Sequence, residues 1–153
     1  MIQAAMGWYN AHLFVFQPDK DTRIGIPFDD FGEPDDDAKK IKLKKYFNQE
    51  GQKMYYEYDF GDCWQHTLTL EKILSKDTEI KYPQLVKGKG MCPPEDCGGV
   101  WGYYDLVEAV NDPNHDQHDD YREWLGMEDN QVFDPKYFDL EKQNKRLQNW
   151  KKS

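Results

Sequence analysis

The stretch QKMYYEYDFGDCWQHTLTLEKIL, residues 52–74, leaves little freedom in its local structure. Met54, Tyr56 and Tyr58 alternate with Tyr55, Glu57 and Asp59, a period of two that sends successive side chains to opposite faces of a strand. After DFGD the same period returns, with Trp64, His66, Leu68 and Leu70 sharing one face. Two such runs joined by a short glycine-containing turn predict an antiparallel β-hairpin. Slippage by one residue would turn every buried side chain to the other face, so the pattern also specifies the register.

The remainder of the chain arranges itself around that hairpin. Residues 1–7 read as a helix ended by Gly7, and HLFVF (12–16), closed by Pro18, reads as a strand. DDFGEPDDD (29–37) reads as a solvated acidic loop without the donor spacing of a Ca²⁺ loop. KKIKLKKYF (39–47) is expected to be a short strand running into one helical turn, its lysines compensating the acids upstream. VWGYYDLVEAVNDP predicts a helix with Leu106, Val107 and Val110 inward, ended before Pro113. HDDYREWLG is a short helix stopped by Gly126, and a last helix carries Leu140, Leu147 and Trp150 near its buried side. Strands in the first half and helices in the second predict one α+β domain, its antiparallel sheet packed against the C-terminal helices.

Composition narrows the functional classes. Only 38% of the 153 residues are hydrophobic, but five Trp, ten Tyr and eight Phe can build a core with few aliphatics, since each buried ring removes about 150–250 Å² from water. A formal net charge of −9 lacks the positive field that phosphate backbones or anionic membranes require. It suits a cationic ligand or a basic partner. No apolar run nears the roughly 20 residues of a membrane span, the N-terminus lacks signal-peptide features, and three cysteines do not form a secreted disulfide framework. A cytoplasmic protein is expected.

Four stretches carry a resemblance. YEYDFGDCWQHTLTLE, YPQLVKGKGMCPPEDCGGVWGY, NDPNHD and FDPKYFDLEKQNKRL follow one another in the order and spacing of the plasmid pRiA4b ORF-3-like family, and AAMGWYNAHLFVF resembles that family's helix-to-strand junction. The family is associated with mobile elements and plasmids, an association rather than a mechanism, and the resemblance implies no reaction, cofactor or catalytic set. Two departures stand out. Cys63 occupies a position where members usually carry an acidic or small polar residue. Members also begin with further strands ahead of the first helix, so the chain is expected to be a shortened form. Loss of those strands would expose a sheet edge and favour homo-oligomers through it.

Candidate sites lie in two places. In KGKGMCPPEDCGG (87–99), Cys92 and Cys97 could furnish half of a zinc site, completed by His66, His115, His118 or Cys63. Pro93 and Pro94 remove amide donors that would steady such thiolates, and a disulfide is disfavoured in a reducing compartment. The alternative is a stiff turn in which both cysteines are small buried groups and Glu95 and Asp96 cap the following helix. At the hairpin turn, Asp59, Asp62, Trp64 and His66 could perform acid–base chemistry or hold a divalent metal, or could form an Asx turn with a hydrogen-bonded histidine. DFG matches the Mg²⁺ motif of kinases, but no other kinase motif accompanies it, and no nucleophile elbow surrounds Ser75 or Ser153, the only serines.

The expected site lies where the two loops converge, lined by Trp64, His66, Glu95, Asp96, Trp101 and Tyr103. An acidic, aromatic surface of that kind suits a cationic or peptide-like ligand, either a protein or a small molecule. The first functional expectation is a non-catalytic binding module, the second a metal-dependent hydrolytic enzyme, the third a DNA-associated accessory of a mobile element.

Overall fold

The structure is a computed structural model that describes residues 1–27 and 33–150. Its contacts divide into two compact units. One comprises Ala11–Glu79; the other comprises Met1–Asn10 together with Ile80–Ser153. The first holds the strands and the second holds the helices, so the fold class is α+β as expected from the order of patterns.

Among the described residues the strand unit carries β1 (Phe14–Gln17), β2 (Ile24–Gly25), β3 (Asp36–Asp37), β4 (Lys53–Tyr58) and β5 (Trp64–Thr69), in the spatial order β3-β2-β1-β4-β5. All neighbours are antiparallel except β2 and β3, which run parallel. The predicted hairpin is β4–β5, with Met54 opposite Leu68, Tyr56 opposite His66 and Tyr58 opposite Trp64. Met54, Tyr56 and Tyr58 are almost completely buried, as their alternation requires. On the other side of β4, Phe14 and Phe16 lie opposite Tyr58 and Tyr56, and the Phe16 and Tyr56 rings stack at 4.7 Å between centroids. A row of aromatics across three strands therefore does the work that aliphatic side chains do in most sheets.

Two local expectations need correction here. Residues 39–42 form no strand; the segment supplies only a 3₁₀ turn at Leu43–Lys45. Its alternating lysines point to water and two of them to acids: Lys45 lies 2.7 Å from Asp36 and Lys40 lies 3.0 Å from Asp37. The acidic stretch 29–37 is only partly a loop, because Asp36 and Asp37 form β3; residues 28–32 lie outside the described residues.

The helical unit holds α1 (Ile2–Met6), α2 (Gly99–Asn111), α3 (His118–Trp124) and α4 (Leu140–Asn149). α1 packs on α4, and α2 on α3. Leu106, Ala109 and Val110 form the fully buried face of α2, at the i, i+3, i+4 spacing of a helix stripe. Of the three apolar residues expected on the buried side of α4, only Leu147 is buried; Leu140, its first residue, and Trp150, its C-cap, are exposed at the two ends. Asp139 caps α4, accepting the Lys142 amide at 2.9 Å, and that bond holds its carboxyl below the usual carboxylate range. No described helix is long and apolar enough to cross a membrane.

Candidate functional site

The hairpin turn belongs to the strand unit. Asp59 is buried at φ 58°, in the left-handed region, and its Oδ1 accepts the Gly61 amide at 3.0 Å. This is the Asx turn that DFGD suggested. Asp59 Oδ2 lies 3.6 Å from His12 Nε2, a residue not singled out in the sequence. Asp62 Oδ2 is buried with no hydrogen-bond partner among the described residues. His66 packs its ring against Tyr56 at 5.5 Å, while Trp64 lies two pairs nearer the turn on β5. Cys63 is an exposed free thiol.

The Cys-Pro-Pro loop belongs to the helical unit and is tied down from three directions. Trp8 Nε1 donates to the Pro93 carbonyl at 2.9 Å, and the Tyr9 amide donates to Glu95 Oε1 at 2.8 Å. Asn144 of α4 makes a reciprocal pair with the backbone of Leu85, at 2.8 and 3.0 Å. The Met91 amide donates to the Pro135 carbonyl at 2.9 Å. The helix cap expected from Glu95 and Asp96 is not formed: α2 starts from Gly98, a residue without a side chain to cap with, and Glu95 is engaged by Tyr9.

Cys92 and Cys97 are free thiols, half-buried and buried. Burial, then the nearby Glu95 carboxylate, pushes the Cys92 thiol up to about 12. A zinc ligand must be a thiolate, and within the described part of this unit neither His115, His118 nor any acid joins the two cysteines in a cluster of three ligands. The two histidines are engaged elsewhere: His118 Nδ1 meets the Ala109 carbonyl at 2.9 Å, and His115 Nδ1 accepts the Gln117 amide at 3.2 Å. The contacts that hold the loop are those of a stiff turn. Alkylation with iodoacetamide at neutral pH, followed by mass spectrometry, is expected to label Cys63 promptly and Cys92 only after denaturation. Equal labelling of Cys92 in the folded protein would contradict it. Because the folded Cys92 holds its proton more tightly than the unfolded thiol, its stabilising contribution is complete below pH 9 and declines as pH rises from there toward 12.

Above this loop the helical unit opens a cleft of about 910 Å³. Trp8, Trp124, Phe133, Tyr137 and Phe138 contribute aromatic wall, and Cys92, Pro93 and Pro94 contribute part of the floor. Phe133 is held by a reciprocal pair with Asn111, at 2.9 and 3.2 Å. Of the residues anticipated from sequence, Glu95 and Asp96 line this cleft. Trp101 does not: it is 81% exposed on α2. Tyr103 is half-buried outside the cleft wall, edge-on to Phe133, its hydroxyl buried without a partner among the described residues and its proton held by burial and by the neighbouring Cys92 and Cys97. Asp59, Asp62, Trp64 and His66 stand in the strand unit.

Sequence reasoning missed Trp8, Trp124, Phe138 and Arg146. Each lies in a helix end or a connecting segment whose local pattern says nothing of what it faces.

An α+β chain with a five-stranded, mostly antiparallel sheet in one unit and an aromatic cleft in a helical unit defines the class. The particular family follows from comparison: a family model described as plasmid pRiA4b ORF-3-like protein matches residues 1–142, and the chain belongs to that family. It is 39% identical over 130 residues to the uncharacterized protein y4hQ of Sinorhizobium fredii (strain NBRC 101917 / NGR234); the match covers 84% of this chain and 66% of that relative's length. Its fold is similar to the crystal structure of a protein of unknown function, MM3350, from Methanosarcina mazei Go1, with a TM-score of 0.74, 40% identity, and coverage of 92% of this chain and 78% of that one.

Proposed function

We propose that the chain is a ligand-binding module and that its binding site is the cleft of the helical unit. The carrying observation is the cleft itself. Its 910 Å³ falls in the range of small-molecule sites, about 300–1,000 Å³, and its wall combines aromatic rings with a few charged groups. Cys92, the nucleophilic group on that wall, is kept protonated by burial, which favours binding over covalent chemistry. A thermal-shift screen of a compound library is expected to yield hits that also change Trp fluorescence, since Trp8 and Trp124 both line the cleft. Those hits are expected to fail with Phe138→Ala and to persist with Trp101→Ala. Hits with the reverse dependence, or a screen without hits, would dismiss the cleft as the site.

One observation favours a second reading, a metal-dependent hydrolytic centre in the strand unit. A buried carboxylate at positive φ, 3.6 Å from an imidazole, is the sort of strained pair that acid–base or metal sites use. Metal analysis of tag-free protein decides it, with about one equivalent of metal, lost in His12→Ala, as the supporting result.

A further inference from the structure

The charged groups around the cleft differ in how they are engaged. Two of its acids are held by backbone amides: Glu95 by Tyr9 and Asp139 by Lys142. Its cations Lys87, Lys89, Lys142 and Arg146 make no ion pair among the described residues. Arg146 is the informative one. It is half-buried, it lies over the Tyr9 ring at 5.6 Å, and its guanidinium makes no hydrogen bond among the described residues. Its nitrogens are not among the buried unpartnered atoms, so the guanidinium lines the cleft with its N–H groups accessible and its charge over an aromatic face.

The end of α1 leaves space for that group. Gly7 ends α1 at φ 119°, and a Cβ there would fall 2.7 Å from Arg146 Nη1. The positive φ already calls for glycine there, and its missing side chain leaves room for the end of the Arg146 side chain. Lys142 lies one helical turn before Arg146 and lines the same cleft, a like-charge i,i+4 pair that weakens the helix. On the outward side of α4 the chain does the reverse, pairing Glu141 with Lys145 at 2.6 Å. Between the two cleft cations, Gln143 Oε1 is buried with no partner among the described residues.

We propose, resting on the cleft as the binding site, that its ligand is a small aromatic oxyanion, with a carboxylate or phosphate group at Arg146 and a flat apolar body against the aromatic wall. The planar guanidinium matches either oxyanion through two parallel N–H···O bonds, and the lysines at the rim add a favourable field. This reverses the sign expected from the acidic composition, because the cleft is lined by four cations, Lys87, Lys89, Lys142 and Arg146, against three acids, Glu95, Asp96 and Asp139.

Calorimetric titration at fixed, low ionic strength tests it with phenylacetate, phenyl phosphate, phenylacetamide and phenethylamine. Phenylacetate or phenyl phosphate is expected to bind at least about tenfold more tightly than the amide, and the amine more weakly still. Which of the two acids binds more tightly assigns the head group. Arg146→Gln is expected to abolish the preference for the acid and Arg146→Lys to restore part of it, while Lys145→Gln leaves it unchanged. The acid–amide comparison uses the unaltered protein, so it decides the question even if an Arg146 variant fails to fold. Amide or amine binding as tightly as the acids, lost in Phe138→Ala, would overturn the oxyanion and leave the cleft as a site. So would silence from all four probes alongside library hits that Phe138→Ala removes. Silence from both experiments would overturn the cleft as well.

Discussion

Gly102→Ala is expected to lower stability by about 3 kcal/mol or more, seen as a fall of about 10 °C in the melting temperature. A Cβ at Gly102 would lie 2.0 Å from the Cys97 carbonyl oxygen and 2.9 Å from its carbon. Both are backbone atoms, so no rotamer change relieves the clash. Either the first turn of α2 unwinds, breaking the 3.2 Å bond from the Gly102 amide to the Gly98 carbonyl, or the Cys-Pro-Pro loop shifts. The second outcome would displace Cys92, Pro93 and Pro94 in the cleft, so ligand affinity is expected to fall along with stability. Val100→Ala, in the same helical turn at a position 49% exposed, is the control and is expected to cost little. A Gly102→Ala protein melting within 2 °C of the parent would show that the close approach is not required.

The second large effect is expected at Asp59. Asp59→Ala removes the acceptor for the Gly61 amide and leaves alanine in the left-handed region, penalties of about 1 and 1–2 kcal/mol. Its total of about 2–3 kcal/mol should appear in urea denaturation and in faster amide exchange along β4 and β5. The two contributions can be separated. Asp59→Asn keeps both the acceptor and the tolerance for positive φ and is expected to cost under about 1 kcal/mol, while Asp59→Gly relieves the backbone but loses the acceptor and falls between. If alanine proves as stable as asparagine, the turn is held by the strands and not by its own chemistry.

The degree to which these features could be read in advance follows from how local their causes are. The β4–β5 hairpin was legible because alternation over six residues leaves only one face to bury; the pairing of Tyr58 with Trp64 came from the structure. The Asx turn was legible because Asp59 supplies its own acceptor two residues away. Residues 39–42 misled because Ile41 and Leu43 mimic a strand period too short to distinguish from chance, and the flanking Lys40 and Lys45 found acids instead of a neighbouring strand. Leu140 and Trp150 misled because they stand at the first residue and the C-cap of α4, where sharing a face with Leu147 does not bring burial. Glu95 was expected to cap α2, and it instead accepts the amide of Tyr9, 86 residues distant along the chain, which no local pattern announces.

What the sequence determined by itself was therefore everything with a repeat or a local partner: the α+β class, the hairpin, the helices after the Cys-Pro-Pro loop, and the family. The tertiary structure alone decided the cleft. Its wall draws on segments from residue 5 to residue 146, and the neighbours of Arg146 lie at the opposite end of the chain. Periodicity records which face of an element is buried, but it carries no information on which distant group an exposed cation will meet. Only closure of the chain brings Gly7 and Tyr9 to Arg146 and the Tyr9 amide to Glu95.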